Sequence, residues 1–148
     1  MRTVEEILLG LDKLFSEQRM NEVEPYLQQA LKESMETDNF SAVITIVNEL
    51  IGFYRDISQY EKSIYYCEQI LPFMEMHGLK ETIHYATTCL NVANAYRAAG
   101  EWNTSLKYYE EVKRVYDRML APTDSLYASY FNNLSLLYQE MGDFEKAA

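Results

Sequence analysis

Residues 132–147, with the sequence NNLSLLYQEMGDFEKA, decide the fold class of this chain. The same order of residue types occurs three times at an offset of 42 residues: a tyrosine, a small residue suited to a turn, an aromatic residue and a second small residue. The aligned columns are Tyr54, Tyr96 and Tyr138; Ser58, Gly100 and Gly142; Tyr60, Trp102 and Phe144; and Ser63, Ser105 and Ala147. A period of about 20–50 residues is the signature of stacked supersecondary units.

The apolar residues between these columns follow a helical period. One face of an amphipathic helix is formed by positions i, i+3, i+4 and i+7, which here are Val47, Leu50, Ile51 and Tyr54. A break at Ser58 and a second apolar stripe predict a second helix, and Ser58 with Glu61 matches a helix capping box. Each unit is therefore predicted to be a helical hairpin, and the chain an all-α, right-handed α-α superhelix of stacked hairpins.

Four units are expected along the chain. Residues 1–39 form a divergent first repeat, residues 40–79 a second and residues 80–121 a third. Residues 122–148 form a partial fourth repeat with the first helix and the start of the second. The columns match poorly before residue 40, where the spacing is nearer 40 residues. An atypical terminal unit is expected because it has a neighbour on one side only.

The quoted string, together with LNVANAYRAAGEW at residues 90–102, resembles the tetratricopeptide repeat. The long 42-residue period is similar to that of kinesin light chain and of bacterial peptide-sensing arrays. The resemblance implies a superhelix whose concave groove holds a protein or peptide. Two other functions remain open: a peptide-sensing regulatory module of a larger bacterial protein, and an oligomerisation or assembly domain.

The composition of the chain limits the class of partner and the cellular compartment that we expect. The formal net charge is -10. Residues 1–74 carry 13 acidic and 6 basic side chains, and residues 75–148 carry 10 acidic and 7 basic side chains. Nucleic-acid binding needs clustered Lys and Arg, so a protein or peptide partner of basic or neutral charge is expected instead. The N-terminus carries acids where a signal peptide needs basic residues, and no apolar run approaches the ~18 residues of a membrane helix. A cytoplasmic protein without membrane contact is predicted.

No pattern in the sequence argues for catalysis. Cys67 and Cys89 fall on apolar helical columns, and neither is spaced from His77 or His84 as metal ligands or as a thiol and its base would be. No phosphate-binding loop or hydrolase motif occurs. We therefore expect no enzyme activity, no metal and no cofactor.

The candidate binding residues are polar positions of the first helices that packing leaves unused. Such positions line the concave face of stacked hairpins, and amides there can pair with the backbone of an extended peptide. The resemblance implies this role above all for Asn91, Asn94, Asn132 and Asn133. The full predicted set is Asn48, Arg55, Asn91, Asn94, Arg97, Asn132, Asn133 and Gln139. Two alternatives stay open, since the Asn side chains can bridge adjacent repeats and the Arg side chains can pair with Asp56 or Glu101.

Two further interpretations concern aromatic and apolar residues. Tyr85, Tyr127 and Tyr130 begin first helices, near the edge of the expected groove, and are candidate partner contacts. The incomplete fourth repeat predicts an uncovered apolar face that can form a homo-oligomer. Its residues are Phe131, Leu134, Leu137 and Tyr138.

Overall fold

The computed structural model describes residues 2–142, and all regular structure in that range is helical. A single 3-10 turn, Met20–Glu22, precedes the second helix. The α-helices are α1 (Val4–Ser16), α2 (Val23–Glu36), α3 (Phe40–Asp56), α4 (Tyr60–Met76), α5 (Ile83–Ala98), α6 (Trp102–Met119) and α7 (Leu126–Glu140). The predicted all-α class is confirmed. The predicted start of the fourth repeat's second helix, with Phe144 and Ala147, lies outside the described residues.

Consecutive helices pair as hairpins, and the hairpins stack through their first helices. Helix α3 contacts both α1 and α5, and α5 also contacts α7. Among residues 2–142, the second helices α2, α4 and α6 do not approach one another as closely. Stacking that is tighter on one side curves the array, so the first helices lie on the inner, concave face.

Five helix-to-helix turns share one backbone geometry. In each, a residue with positive φ follows the helix, and the next N–H donates to a carbonyl five residues earlier, for example Gln59 to Tyr54 at 2.8 Å and Glu101 to Tyr96 at 2.9 Å. This is the Schellman arrangement that satisfies the last carbonyls of a helix. The residues with positive φ in these turns are Gln18, Asp38, Ser58, Gly78 and Gly100.

The predicted capping box at Ser58 is wrong. Ser58 has φ 60° and ends α3, whereas the N-cap of α4 is Gln59, which makes no side-chain capping hydrogen bond. The physical reason is that Ser58 occupies the left-handed position held by glycine in the next repeat. Its side chain therefore cannot accept from the first turn of α4.

Small residues allow the two helices of a hairpin to approach closely. Ser63 and Ser105 are fully buried, and their hydroxyls donate to the carbonyls of Ile51 (2.8 Å) and Ala93 (2.7 Å) on the preceding helix. In the first hairpin, Gly10 has this role, because a Cβ there would overlap the Tyr26 ring. The repeat columns thus hold the residues that set the helix-to-helix distance.

The core is continuous apolar packing between the stacked hairpins. It includes both cysteines, as predicted, and burial raises the pKa of the Cys67 and Cys89 thiols to about 12. A buried thiol with a raised pKa is an unreactive core residue. Stacked tyrosine pairs recur one repeat apart: Tyr54 with Tyr66 (6.0 Å between ring centroids) and Tyr96 with Tyr108 (5.6 Å).

Candidate functional site

A groove of about 710 Å³ runs across the concave face between α1, α3 and α5. Ten of its lining residues are first-helix positions that the repeat leaves free of packing. They are Thr45, Asn48, Glu49, Gly52, Arg55 and Asp56 on α3, and Thr87, Leu90, Asn91 and Asn94 on α5. Of the predicted binding residues, Asn48, Arg55, Asn91 and Asn94 line this groove, while Arg97, Asn132, Asn133 and Gln139 do not line it.

Asn48 and Asn91 form a hydrogen-bonded bridge between α3 and α5. The Asn48 amide nitrogen donates to the Ile44 carbonyl (3.0 Å) and to the Thr88 hydroxyl (3.0 Å). Asn91 donates to the backbone oxygen (3.1 Å) and the side-chain oxygen (3.0 Å) of Asn48, and accepts from Arg55 at 3.1 Å. These amides therefore join adjacent repeats, and a peptide that used them would have to exchange existing hydrogen bonds.

Asn94 is the groove amide whose N–H groups have no hydrogen-bond partner among the described residues. Its side-chain oxygen accepts a short hydrogen bond from the Tyr109 hydroxyl. That hydroxyl also accepts from Arg97 (3.4 Å), and Arg97 bridges to Glu140 on α7 at 3.0 Å. No hydrogen bond from the Asn94 amide nitrogen is found within the described residues. The Asn94 N–H groups are thus free to donate to a ligand carbonyl.

The predicted residues on α7 lie beyond the groove. Asn133 donates to the Ser129 carbonyl of its own helix (2.9 Å), and Asn132 and Gln139 are exposed. Arg97 is held by Glu140 rather than by Glu101, whereas Arg55 contacts the expected Asp56 at 3.4 Å and also Asn91. The concave surface therefore divides into an open groove near α3 and an internally paired region near α7.

The N-terminal end of the groove is apolar. Phe15 and Met20 from the first hairpin, with Phe53 and Ile57 from the end of α3, line it. Phe15, Met20 and Ile57 are 40%, 44% and 40% exposed. Sequence reasoning missed Phe15, but the first-repeat spacing of 40 residues aligns it with Arg55 and could have placed it in the groove.

Glu49 is the half-buried carboxylate of the groove. Its pKa is raised above the ordinary value because burial removes water from the charged form, and Asp12 on α1 adds repulsion. It has no hydrogen bond or ion pair among the described residues. The groove therefore carries an uncompensated negative charge beside its apolar end.

The tyrosines expected at the groove edge are buried, so their interpretation as partner contacts is wrong. Tyr85 donates to Glu75 (3.1 Å) and Tyr127 to Asp117 (2.7 Å), both on the preceding second helix. Tyr130 packs on the rings of Tyr109 and Tyr116. The start of each first helix faces the previous hairpin, which covers these rings.

The apolar face of α7 is less open than expected. Leu137 is fully buried in the core, so its predicted exposure is wrong, because it faces the hairpin that precedes α7. Leu134 and Tyr138 are half-buried, and Phe131 is 53% exposed. Only part of the predicted self-association face is accessible in the described chain.

Within residues 2–142, no helix has the length and apolar character needed to cross a membrane. The same range contains no group of three or more His, Cys, Asp or Glu side chains arranged to hold a metal ion.

Comparison with known proteins places this architecture. The tetratricopeptide repeat family model matches residues 84–148. The resemblance predicted from the repeat columns is thereby confirmed for the fold and the repeat type. No curated protein matches the sequence.

Two solved structures are similar to the chain. The crystal structure of BtubC (BKLC) from P. vanneervenii aligns with a TM-score of 0.83 and 24% identity over 97% of this chain, which spans 57% of BtubC. A kinesin light chain-like protein of Podospora anserina with nearly identical TPR-like repeats aligns with a TM-score of 0.84 and 16% identity, covering 99% of this chain and 72% of that one. Such arrays are generally scaffolds for protein–protein interaction and typically are not enzymes.

Proposed function

We propose that this tetratricopeptide array binds an extended peptide segment of a partner protein in the groove between α1, α3 and α5. One observation supports this most: the groove combines free amide donors at Asn94 with an apolar end at Phe15 and Met20. Backbone hydrogen bonds supply affinity independent of sequence, and an apolar pocket supplies an anchor. The acidic chain favours basic partners through faster encounter.

The scaffold and the peptide-sensing module are variants of this one proposal. Both use the same groove, and a sensor would in addition couple occupancy to an effector domain. A scaffold and a sensor would bind with the same groove residues, so the groove itself does not distinguish them. The length of the full gene and the domains it encodes separate them.

The test uses peptides selected from a displayed random library against the whole chain. Their affinity is measured by fluorescence anisotropy for the wild type and for Asn94→Ala. We expect Asn94→Ala to weaken groove peptides about five- to tenfold, the value of one or two backbone hydrogen bonds. Asn103→Ala, an exposed amide on α6, is the matched control and should leave affinity unchanged. Selected peptides that all ignore Asn94→Ala would rule out the groove.

Self-association through α7 is a second candidate, favoured by the exposure of Phe131 and Leu136, which are 53% and 37% accessible. Exposed large apolar side chains mark a contact surface where they belong to one contiguous patch. Sedimentation equilibrium of the chain and of Phe131→Asp tests it. A wild-type dimer that becomes a monomer in the variant supports this candidate, and a wild-type monomer at ~0.1 mM, a concentration that would populate even weak dimers, refutes it.

A further inference from the structure

Glu49 occupies a position that is an amide in the later repeats. Glu49, Asn91 and Asn133 lie 42 residues apart, in one column of the first helices. The Asn91 amide is fully engaged with Asn48 and Arg55, and the Asn133 amide donates within its own helix. Glu49, by contrast, presents an unpaired carboxylate to the groove. The column therefore changes from structural amides to an available acceptor at the open part of the groove.

The charges around Glu49 do not compensate it. Arg55, the cation on the same helix, contacts Asp56 at 3.4 Å and donates to Asn91 at 3.1 Å. Asp12, on the neighbouring first helix, adds repulsion, which is one reason the pKa of Glu49 is raised. A half-buried carboxylate without a partner is costly, and a cation brought by a ligand removes that cost. The groove is thus electrostatically complementary to an ammonium or guanidinium group.

An apolar surface lies along the same helix from Glu49. Phe53 is one helical turn further on, at about 6 Å along the axis from the helical rise, and Ile57 is the C-cap residue that follows the last turn of α3. Phe15 and Met20 lie opposite them and complete the apolar end of the groove. An extended peptide rises about 3.3 Å per residue, so side chains two or three residues apart can reach Glu49 and this apolar end together.

We propose that Glu49 binds the Lys or Arg side chain of a peptide in the groove, and that Phe15, Met20 and Ile57 receive a large apolar side chain two or three residues away. This inference rests on the proposed function and specifies the chemistry of its ligand. It locates the preference for basic partners at one carboxylate, rather than in the net charge of the chain. A peptide with acidic residues at that place is excluded by repulsion from Glu49 and Asp12.

The test is selection from a displayed library of random short peptides, on the wild type and on Glu49→Asn, which restores the amide of the column. Wild-type hits should pair a basic residue with a large apolar residue two or three positions away, and Glu49→Asn hits should lose the basic residue. Glu49→Gln should weaken wild-type hits about tenfold. Glu110→Gln changes the net charge equally at an exposed carboxylate on α6 and should change affinity less than twofold.

A charge-reversal variant tests the same contact in a second way. Glu49→Lys should reject the wild-type hits and bind their Lys→Glu or Arg→Glu counterparts. Circular dichroism shows whether each variant is folded, and Asn94→Ala shows whether each hit uses the groove. Hits that depend on Asn94 but carry no basic residue, or that ignore Glu49→Gln, overturn the Glu49 inference while the groove function stands. A selection that gives no Asn94-dependent hits overturns both.

Discussion

The two halves of the concave face differ, although one repeat pattern builds both. Towards α7 the polar side chains are paired within the protein, as Arg97 with Glu140 and Asn133 with the Ser129 carbonyl of its own helix. Around α1 and α3 the face is open, with Glu49 unpaired and Phe15 exposed. The turns of the two halves also differ. The residues with positive φ are Gln18, Asp38 and Ser58 before residue 60, and glycines after it.

This difference indicates that the paired half contributes to stability and that the open half provides the surface for recognition. The C-terminal half carries the residues that the tetratricopeptide repeat model matches, and within its described part Arg97 and Asn133 have partners inside the protein. The N-terminal half departs from the repeat pattern at positions that line the groove. Sites that break local rules without an internal partner are where function is expected.

Removing the amide of one repeat column from α5 and from α7 should give unequal losses of stability. Asn91→Ala removes the hydrogen bond from Arg55 and leaves the Asn48 side-chain oxygen without its donor between α3 and α5, which costs about 2 kcal/mol of unfolding free energy. Asn133→Ala removes a hydrogen bond within one partly exposed helix and should cost under about 0.5 kcal/mol. Urea unfolding followed by circular dichroism measures both. Equal losses would contradict the bridging role of Asn91.

Exchanging the turn residues should shift stability in opposite directions. Gly100→Ala places a Cβ at φ 80° and should cost about 1 kcal/mol, because left-handed backbone is strained for residues other than glycine. Ser58→Gly relieves that strain at φ 60° and should gain about 0.5 kcal/mol after the larger chain entropy of glycine is subtracted. Thermal unfolding of the two variants and of the double variant checks the signs. A loss of stability in Ser58→Gly would show that the serine turn is not strained.

Neutralising Glu49 should stabilise the free protein while it weakens peptide binding. The pKa of Glu49 is raised in the folded state by burial and then by Asp12, so the ionised carboxylate opposes folding at neutral pH. We expect Glu49→Gln to gain about 0.5 kcal/mol at pH 7, a value reduced for solvent screening of a half-exposed group.

The gain from Glu49→Gln should depend on pH with a defined sign. It is fully present above the raised pKa of Glu49 and disappears as the pH falls below about 4, where the carboxylate is protonated in both folded and unfolded states. Asp12 on α1, Arg55 and Asp56 on α3 and His84 on α5 also face the groove. Unfolding curves of both proteins across this pH range measure the gain. A gain that grows towards acid pH would contradict the account.

The repeat columns predict most of the fold because each column has one packing role. Ser63 and Ser105 set the distance between helices, and the Tyr54 and Tyr96 columns recur as stacked rings. The columns also identify which α3 and α5 positions face the groove. They do not predict hydrogen bonding between repeats, because that depends on the register of α3 against α5. Asn48 and Asn91 are therefore indistinguishable from free amides in the sequence.

The sequence was least informative where glycine or a matching column was absent. Gln18 takes the left-handed conformation without any residue preference for it, and Asp38 with a preference much weaker than that of glycine. The first repeat then lacks a turn marker, and the groove residues Phe15 and Met20 are missed with it. The buried tyrosines Tyr85, Tyr127 and Tyr130 were misplaced for a different reason: the start of a first helix faces the previous hairpin, which a single-helix pattern does not indicate.

A crystal structure of the chain with a selected peptide tests the central claim most directly. The account predicts an extended peptide between α1 and α5, with a carbonyl on the Asn94 amide and a Lys or Arg nitrogen about 3 Å from the Glu49 carboxylate. The apolar residue of the peptide should contact Phe15 and Met20. A peptide bound on α7, or on the outer face formed by the second helices, would contradict the account.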